Sequence, residues 1–144
     1  MTSRIQHGTA AMVLGLSLAL FGTGALADTT PAPPGAKAYI ISPQDGDTVP
    51  ETFTVRFGLS GMGVAPAGVD LPSTGHHHLL VDMAELPPAG QPMGKDIKHF
   101  GGGQTETEIT LPPGRHSLQL MLGDKNHVPF DPPVVSDEIT VTVQ

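Results

Sequence analysis

Beyond residue 27 the chain never sustains a helical period; its apolar residues recur at every second position instead. Such alternation is the mark of half-buried β-strands. Phe53, Val55, Phe57 and Leu59 share one face of a run whose other face carries Thr54, Arg56 and Gly58. Leu118, Leu120 and Leu122 alternate with Gln119 and Met121, and Ile139, Val141 and Val143 with Thr140 and Thr142. Shorter runs lie at 38–42, 76–82 and 105–111. Turn chemistry separates them at Ser42-Pro43-Gln44-Asp45-Gly46, Pro112-Pro113-Gly114 and Gly123-Asp124-Lys125-Asn126. The fold class is therefore all-β, with strands at 38–42, 52–60, 76–82, 105–111, 115–122 and 137–143. Antiparallel turns between them predict an immunoglobulin-like β-sandwich of about seven strands. The seventh is expected within 94–100, as the strand that turns into 105–111, because the gap from Met83 to Gln104 is too long for a structureless loop. Residues 28–37 are poor in apolar groups and read as a flexible tether, leaving 38–144 as the domain.

The one long apolar stretch is N-terminal. Arg4 precedes an apolar run at 11–21, too short for a typical spanning helix, and Ala25-Leu26-Ala27 offers a small-x-small cleavage site. Residues 1–27 read as a cleavable signal peptide, so the chain is expected to be exported. After cleavage six Lys or Arg face fourteen Asp or Glu, a formal charge of −8. An acidic domain has no electrostatic route to nonspecific nucleic-acid binding or to an anionic membrane surface. The chain has no Cys, so an exported domain of this kind draws its stability from a packed core or a bound ligand.

Histidine carries the functional signal. In a strand through 76–82, His76 and His78 share a face about 7 Å apart, while His77 shares the other with Leu79 and Val81. With Leu79 and Val81 turned inward, His76 and His78 stand on the outer face or the rim. Two imidazoles at i and i+2 can lean toward one ion, about 2.0–2.1 Å from each ring nitrogen. In the predicted sandwich the start of 76–82 lies beside the end of 115–122, which brings in His127 from the following loop. His99, next to the Gly101-Gly102-Gly103 turn, is expected at the same end. His76, His78, His99 and His127 thus form a candidate site for copper or zinc. His116 follows Pro112-Pro113-Gly114 at the opposite end and is assigned a structural role, its ring bonded to nearby backbone.

Other residues admit less chemistry. Met121 faces outward opposite His78, where it either covers sheet surface or adds a soft donor that favours copper. Asp124 and Asp131 are either acceptors that orient histidine rings or turn residues. The triple glycine lacks the Lys-Ser/Thr and the helix of a phosphate loop. There is no Cys nucleophile and no Gly-x-Ser-x-Gly elbow, and Glu106 with Glu108 reads as a solvated strand face. No catalytic residue is nominated, and binding is favoured over enzymatic activity.

Four phrases carry a family resemblance. They are Gly61-Met62-Gly63-Val64-Ala65-Pro66-Ala67-Gly68, Gly75-His76-His77-His78-Leu79-Leu80-Val81-Asp82, His99-Phe100-Gly101-Gly102-Gly103-Gln104-Thr105-Glu106 and Leu122-Gly123-Asp124-Lys125-Asn126-His127-Val128-Pro129. The chain resembles a bacterial exported domain-of-unknown-function family, number 4399, over roughly residues 38–143. The resemblance implies a periplasmic protein and supplies no activity. Some members are labelled rod-shape-determining protein, which normally denotes a multi-span membrane protein. This sequence has no second apolar segment, so the label is not carried over. Two functions follow from the residues: a metal-binding module, with an unidentified periplasmic protein as a further partner, or a structural or protein-interaction domain without metal.

Overall fold

The computed structural model describes residues 28–144, so the signal-peptide reading of 1–27 lies outside the described residues. Among the described residues there is no helix. The strands are β1 (Lys37–Ser42), β2 (Thr48–Val49), β3 (Thr52–Ser60), β4 (Gly63–Val64), β5 (Thr74–Val81), β6 (Lys98–His99), β7 (Glu106–Thr110), β8 (Gly114–Gly123) and β9 (Ile139–Val143). They form a three-stranded sheet in the order β1-β3-β7 and a larger one in the order β2-β9-β8-β5-β4, with β6 also paired to β5.

Period-two alternation does what it predicts. Phe53, Val55 and Phe57 of β3 meet Leu79 of β5 and Leu118, Leu120 and Leu122 of β8 in one buried cluster between the sheets. Burying each such side chain contributes about 1.5–3 kcal/mol. The polar faces are turned to solvent, where Arg56 pairs with Glu106 across the β3–β7 ladder at 3.1 Å. The long ladders are antiparallel, whereas the two-residue strands β2 and β4 pair parallel to β9 and β5.

Three features depart from expectation. The strand expected within 94–100 exists as β6, but it pairs with β5 in the larger sheet and does not lie beside β7. The outer face of that sheet is covered, because residues 83–97 fold over it. Leu80, Met121 and Ile97 form a second buried cluster there, with Met83 and Met93 packed against it. Met121 therefore faces outward from the sheet, as expected, yet is fully buried. Finally, the 28–37 stretch read as a tether lies against the domain. Ala32 N–H donates to Asp131 O and Asp131 N–H to Thr30 O, both at 2.9 Å, and Ala32 and Ala36 pack on the core.

Candidate metal centre

The register of β5 places the site. His76 sits opposite Gly123 and His78 opposite Met121 on β8, while β6 sets His99 directly opposite His78 on the other side. Residues paired across a ladder project to the same face, so His78 and His99 meet. His127 comes from the loop after β8, with a backbone φ of 66° that a non-glycine residue rarely adopts. Asp124 holds that loop: its Oδ1 accepts from Asn126 N–H at 2.8 Å and Val128 N–H at 3.0 Å. Its Oδ2 accepts from the Thr30 hydroxyl at 2.7 Å. Asp124 thus builds the turn that carries His127 and bonds no imidazole. Asp131, the other candidate acceptor, contributes backbone pairing to 30–32.

All four predicted histidines converge. One ligand nitrogen from each of His76, His78, His99 and His127 lies within 4.8 Å of every other. His76 Nε2 and His127 Nδ1 are 3.0 Å apart, within hydrogen-bond reach. Burial is graded across the cluster. His76 and His78, expected on the outer face or rim, are 0 % and 2 % exposed and form its floor. His99 is exposed and His127 half-buried, and they form its mouth. A cleft of about 300 Å³ reaches the cluster, lined by His78, His99, His127, Met93 and Ile97.

Burial also sets the charge. It pushes His76 down to about 4, with the charges of His127 and His99 acting the same way. His78 falls to about 3, again from burial first and then from His76 and His99. His99 is lowered by the same causes in kind. A buried imidazole loses the hydration that favours its cation, and rings this close repel each other when charged. At neutral pH these three rings are neutral, the form that binds metal. Two floor nitrogens, His76 Nδ1 and His78 Nδ1, are buried without a hydrogen-bond partner. Each such group costs about 1–3 kcal/mol. The donor set suits a borderline or soft transition-metal ion.

Glycine makes the space. A Cβ on Gly123 would stand 2.6 Å from His78 Cε1 and 2.8 Å from the Met93 methyl carbon. A Cβ on Gly101 would collide with the His99 ring. The triple glycine therefore serves the imidazole as well as the turn.

The profile of one family matches residues 55–144, well over half of the chain and all four site histidines. The chain belongs to Domain of unknown function (DUF4399). Neither a curated protein nor a solved structure matches it. Strands β1 and β2 precede the region matched to DUF4399.

The remaining candidates stand apart from the site. His77 turns inward against Phe57, ring centres 5.2 Å apart. His116 binds at both nitrogens: Nδ1–H donates to Asp82 Oδ2 at 2.7 Å and Nε2–H to Pro112 O at 2.9 Å. That is the backbone-bracing role expected of it, and two acceptors raise its pKa, the Asp82 hydrogen bond first. A larger cleft of about 420 Å³ lies beside this ring, but a doubly bonded imidazole has no nitrogen left for an ion. Glu106 is engaged by Arg56 on the solvent face. The residue that sequence reasoning missed is Met93. Its backbone N–H donates to His127 O at 2.9 Å, and its side chain forms a wall of the cleft beside His78.

Proposed function

We propose that this DUF4399 protein is an exported, periplasmic domain that binds one transition-metal ion, copper or zinc, through His76, His78, His99 and His127. One observation carries the reading: four imidazole donors from three separate segments meet within 4.8 Å, two of them on a buried floor. Solvated histidines on a strand edge have no reason to converge or to give up their hydration. Four protein ligands fill a tetrahedral site, and closed sites of this kind hold ions without leaving a position for substrate. The role is accordingly storage, delivery or sensing. Export is supported by the charge and hydropathy pattern of residues 1–27. The domain is proposed as immunoglobulin-like because β1-β3-β7 faces β9-β8-β5 as strands A, B and E face G, F and C in that fold.

The test is metal content of the untagged protein taken from periplasmic extract, followed by titration of the metal-free form. One tightly held ion per chain is expected. The double variant His76→Ala/His78→Ala is expected to lose at least about a hundredfold in affinity. Equal, weak binding by both forms would overturn the proposal in favour of a structural or protein-interaction domain without metal.

A further inference from the structure

The six distances between ring centres define the shape of the cage. They are 4.7 Å for His76–His78, 5.0 Å for His76–His99 and 5.0 Å for His76–His127. The others are 5.1 Å for His78–His99, 6.0 Å for His78–His127 and 4.4 Å for His99–His127. An ion about 2.0–2.1 Å from each ring nitrogen, on the axis of each ring, lies about 3.2 Å from each ring centre. A tetrahedral arrangement then separates every pair of centres by about 5.2 Å. A square plane gives two classes, neighbours at about 4.5 Å and opposite rings at about 6.4 Å.

Four of the six distances, 4.7–5.1 Å, lie within about 0.5 Å of the tetrahedral value, while His78–His127 at 6.0 Å and His99–His127 at 4.4 Å depart from it by about 0.8 Å in opposite senses. The pairing closest to a square would make His76–His99 and His78–His127 the diagonals, and it fails at His76–His99. Those centres would have to part by about 1.4 Å to reach the square-planar diagonal. Little can give. His76 and His78 are buried on β5, and the His78 ring occupies the space that a Cβ at position 123 would need. Asp124 fixes the loop of His127.

We infer that the site takes a d10 ion, Zn(II) or Cu(I), in tetrahedral geometry and discriminates against Cu(II). The inference rests on the metal-binding reading above. Cu(II) prefers tetragonal surroundings and ordinarily outcompetes Zn(II) at nitrogen sites, so a cage that reverses that order does so by shape. Between the two d10 ions, Met93 tips the balance. With four imidazoles filling the tetrahedron, the Met93 thioether in the cleft wall beside His78 ligates only by replacing one of them, an exchange that Cu(I) favours and Zn(II) does not.

The experiment uses the metal-free, untagged chain. Co(II), a spectroscopic substitute for Zn(II), is expected to give the intense visible bands of a tetrahedral ion. Zn(II) is expected to displace bound Cu(II). Faint octahedral Co(II) bands, or Cu(II) held against excess Zn(II) with a square-planar four-nitrogen electron paramagnetic resonance spectrum, would overturn the geometric assignment. Failure to bind any of these ions would instead overturn the metal-binding reading itself. Met93→Leu keeps the apolar bulk and removes the sulfur. It is expected to weaken Cu(I) binding on the order of tenfold while leaving Zn(II) unchanged. Equal change for both ions, or none for either, would overturn the role of the thioether.

Discussion

Acidifying the metal-free protein from pH 7 to pH 5 should cost it about 4 kcal/mol of stability through two side chains alone. In the unfolded chain an imidazole titrates at its ordinary value of 6.5. In the folded protein His76 titrates at about 4 and His78 at about 3. Folded-state values depressed below the unfolded one mean that the stability is fully present above pH 6.5. It is lost as pH falls from there toward 4 and 3. Over the interval from 7 to 5 each unfolded ring gains most of a proton while each folded ring gains almost none, worth about 2 kcal/mol per ring. Both rings are buried, so solvent screens little of this, and the lowered pKa of buried His77 acts in the same direction. Against a typical total of about 5–15 kcal/mol the loss is large. Urea unfolding in the presence of chelator at the two pH values measures it. The control is His76→Asn/His78→Asn, which has neither titration, and wild type should lose about 4 kcal/mol more than the control. If the two lose stability in parallel, within about 1 kcal/mol, burial of the neutral rings is not what links this fold to pH. Nuclear magnetic resonance titration of wild type gives a second reading: the His78 ring should show no protonation above pH 5.

Three further outcomes follow from single contacts. Gly123→Ala pushes a methyl group against His78 and Met93, so metal affinity should drop about tenfold or more in calorimetric titration, with about 1–3 kcal/mol of stability lost to overpacking. Asp124→Ala deprives Asn126 N–H, Val128 N–H and the Thr30 hydroxyl of their acceptor. It should cost about 2–4 kcal/mol in urea unfolding and release bound metal faster in a chelator-chase experiment. His116 runs opposite to the cluster: its pKa is raised, so its contribution is complete below its unfolded value and is lost as pH rises through the folded one. Its ring should titrate above 6.5 in wild type and fall toward that value in Asp82→Asn.

The fold was legible wherever one face of a strand was wet. Phe53, Val55 and Phe57 alternate with polar residues because β3 is buried on one side, and the same holds for Val141 and Val143 on β9. Alternation reports which residues share a face; it does not report what covers the face. Residues 83–97 have no periodicity to announce that they fold onto the outside of β5 and β8, so Met93 stayed hidden. A trace of that cover was nevertheless present in the unbroken apolar run Leu79-Leu80-Val81 and in Met121 between two leucines, since a strand apolar on both faces is buried on both. Two-residue strands such as β2 and β4 are too short to show any period.

The site was legible for a different reason. His76, His78 and His127 follow from antiparallel pairing of β5 with β8, which the predicted sandwich topology supplies. His99 was placed at the correct end by the wrong route, as part of a turn into β7, whereas it arrives as the residue opposite His78 on β6. The two routes make different demands on the protein. A histidine carried by a turn between strands of the other sheet would be independent of β5. One paired to β5 shares a backbone ladder with His78, so the mouth and the floor of the site are parts of one sheet. Closing the fourth side of the cage therefore depends on a two-residue strand, held at one end by Phe100 N–H donating to His77 O at 3.1 Å and at the other by the cover that Met93 ties to His127. On the metal-binding reading proposed above, ion capture and ordering of the 83–97 cover are coupled: an ion bound by all four histidines would hold β6 against β5, and freeing the cover would weaken the grip of His99.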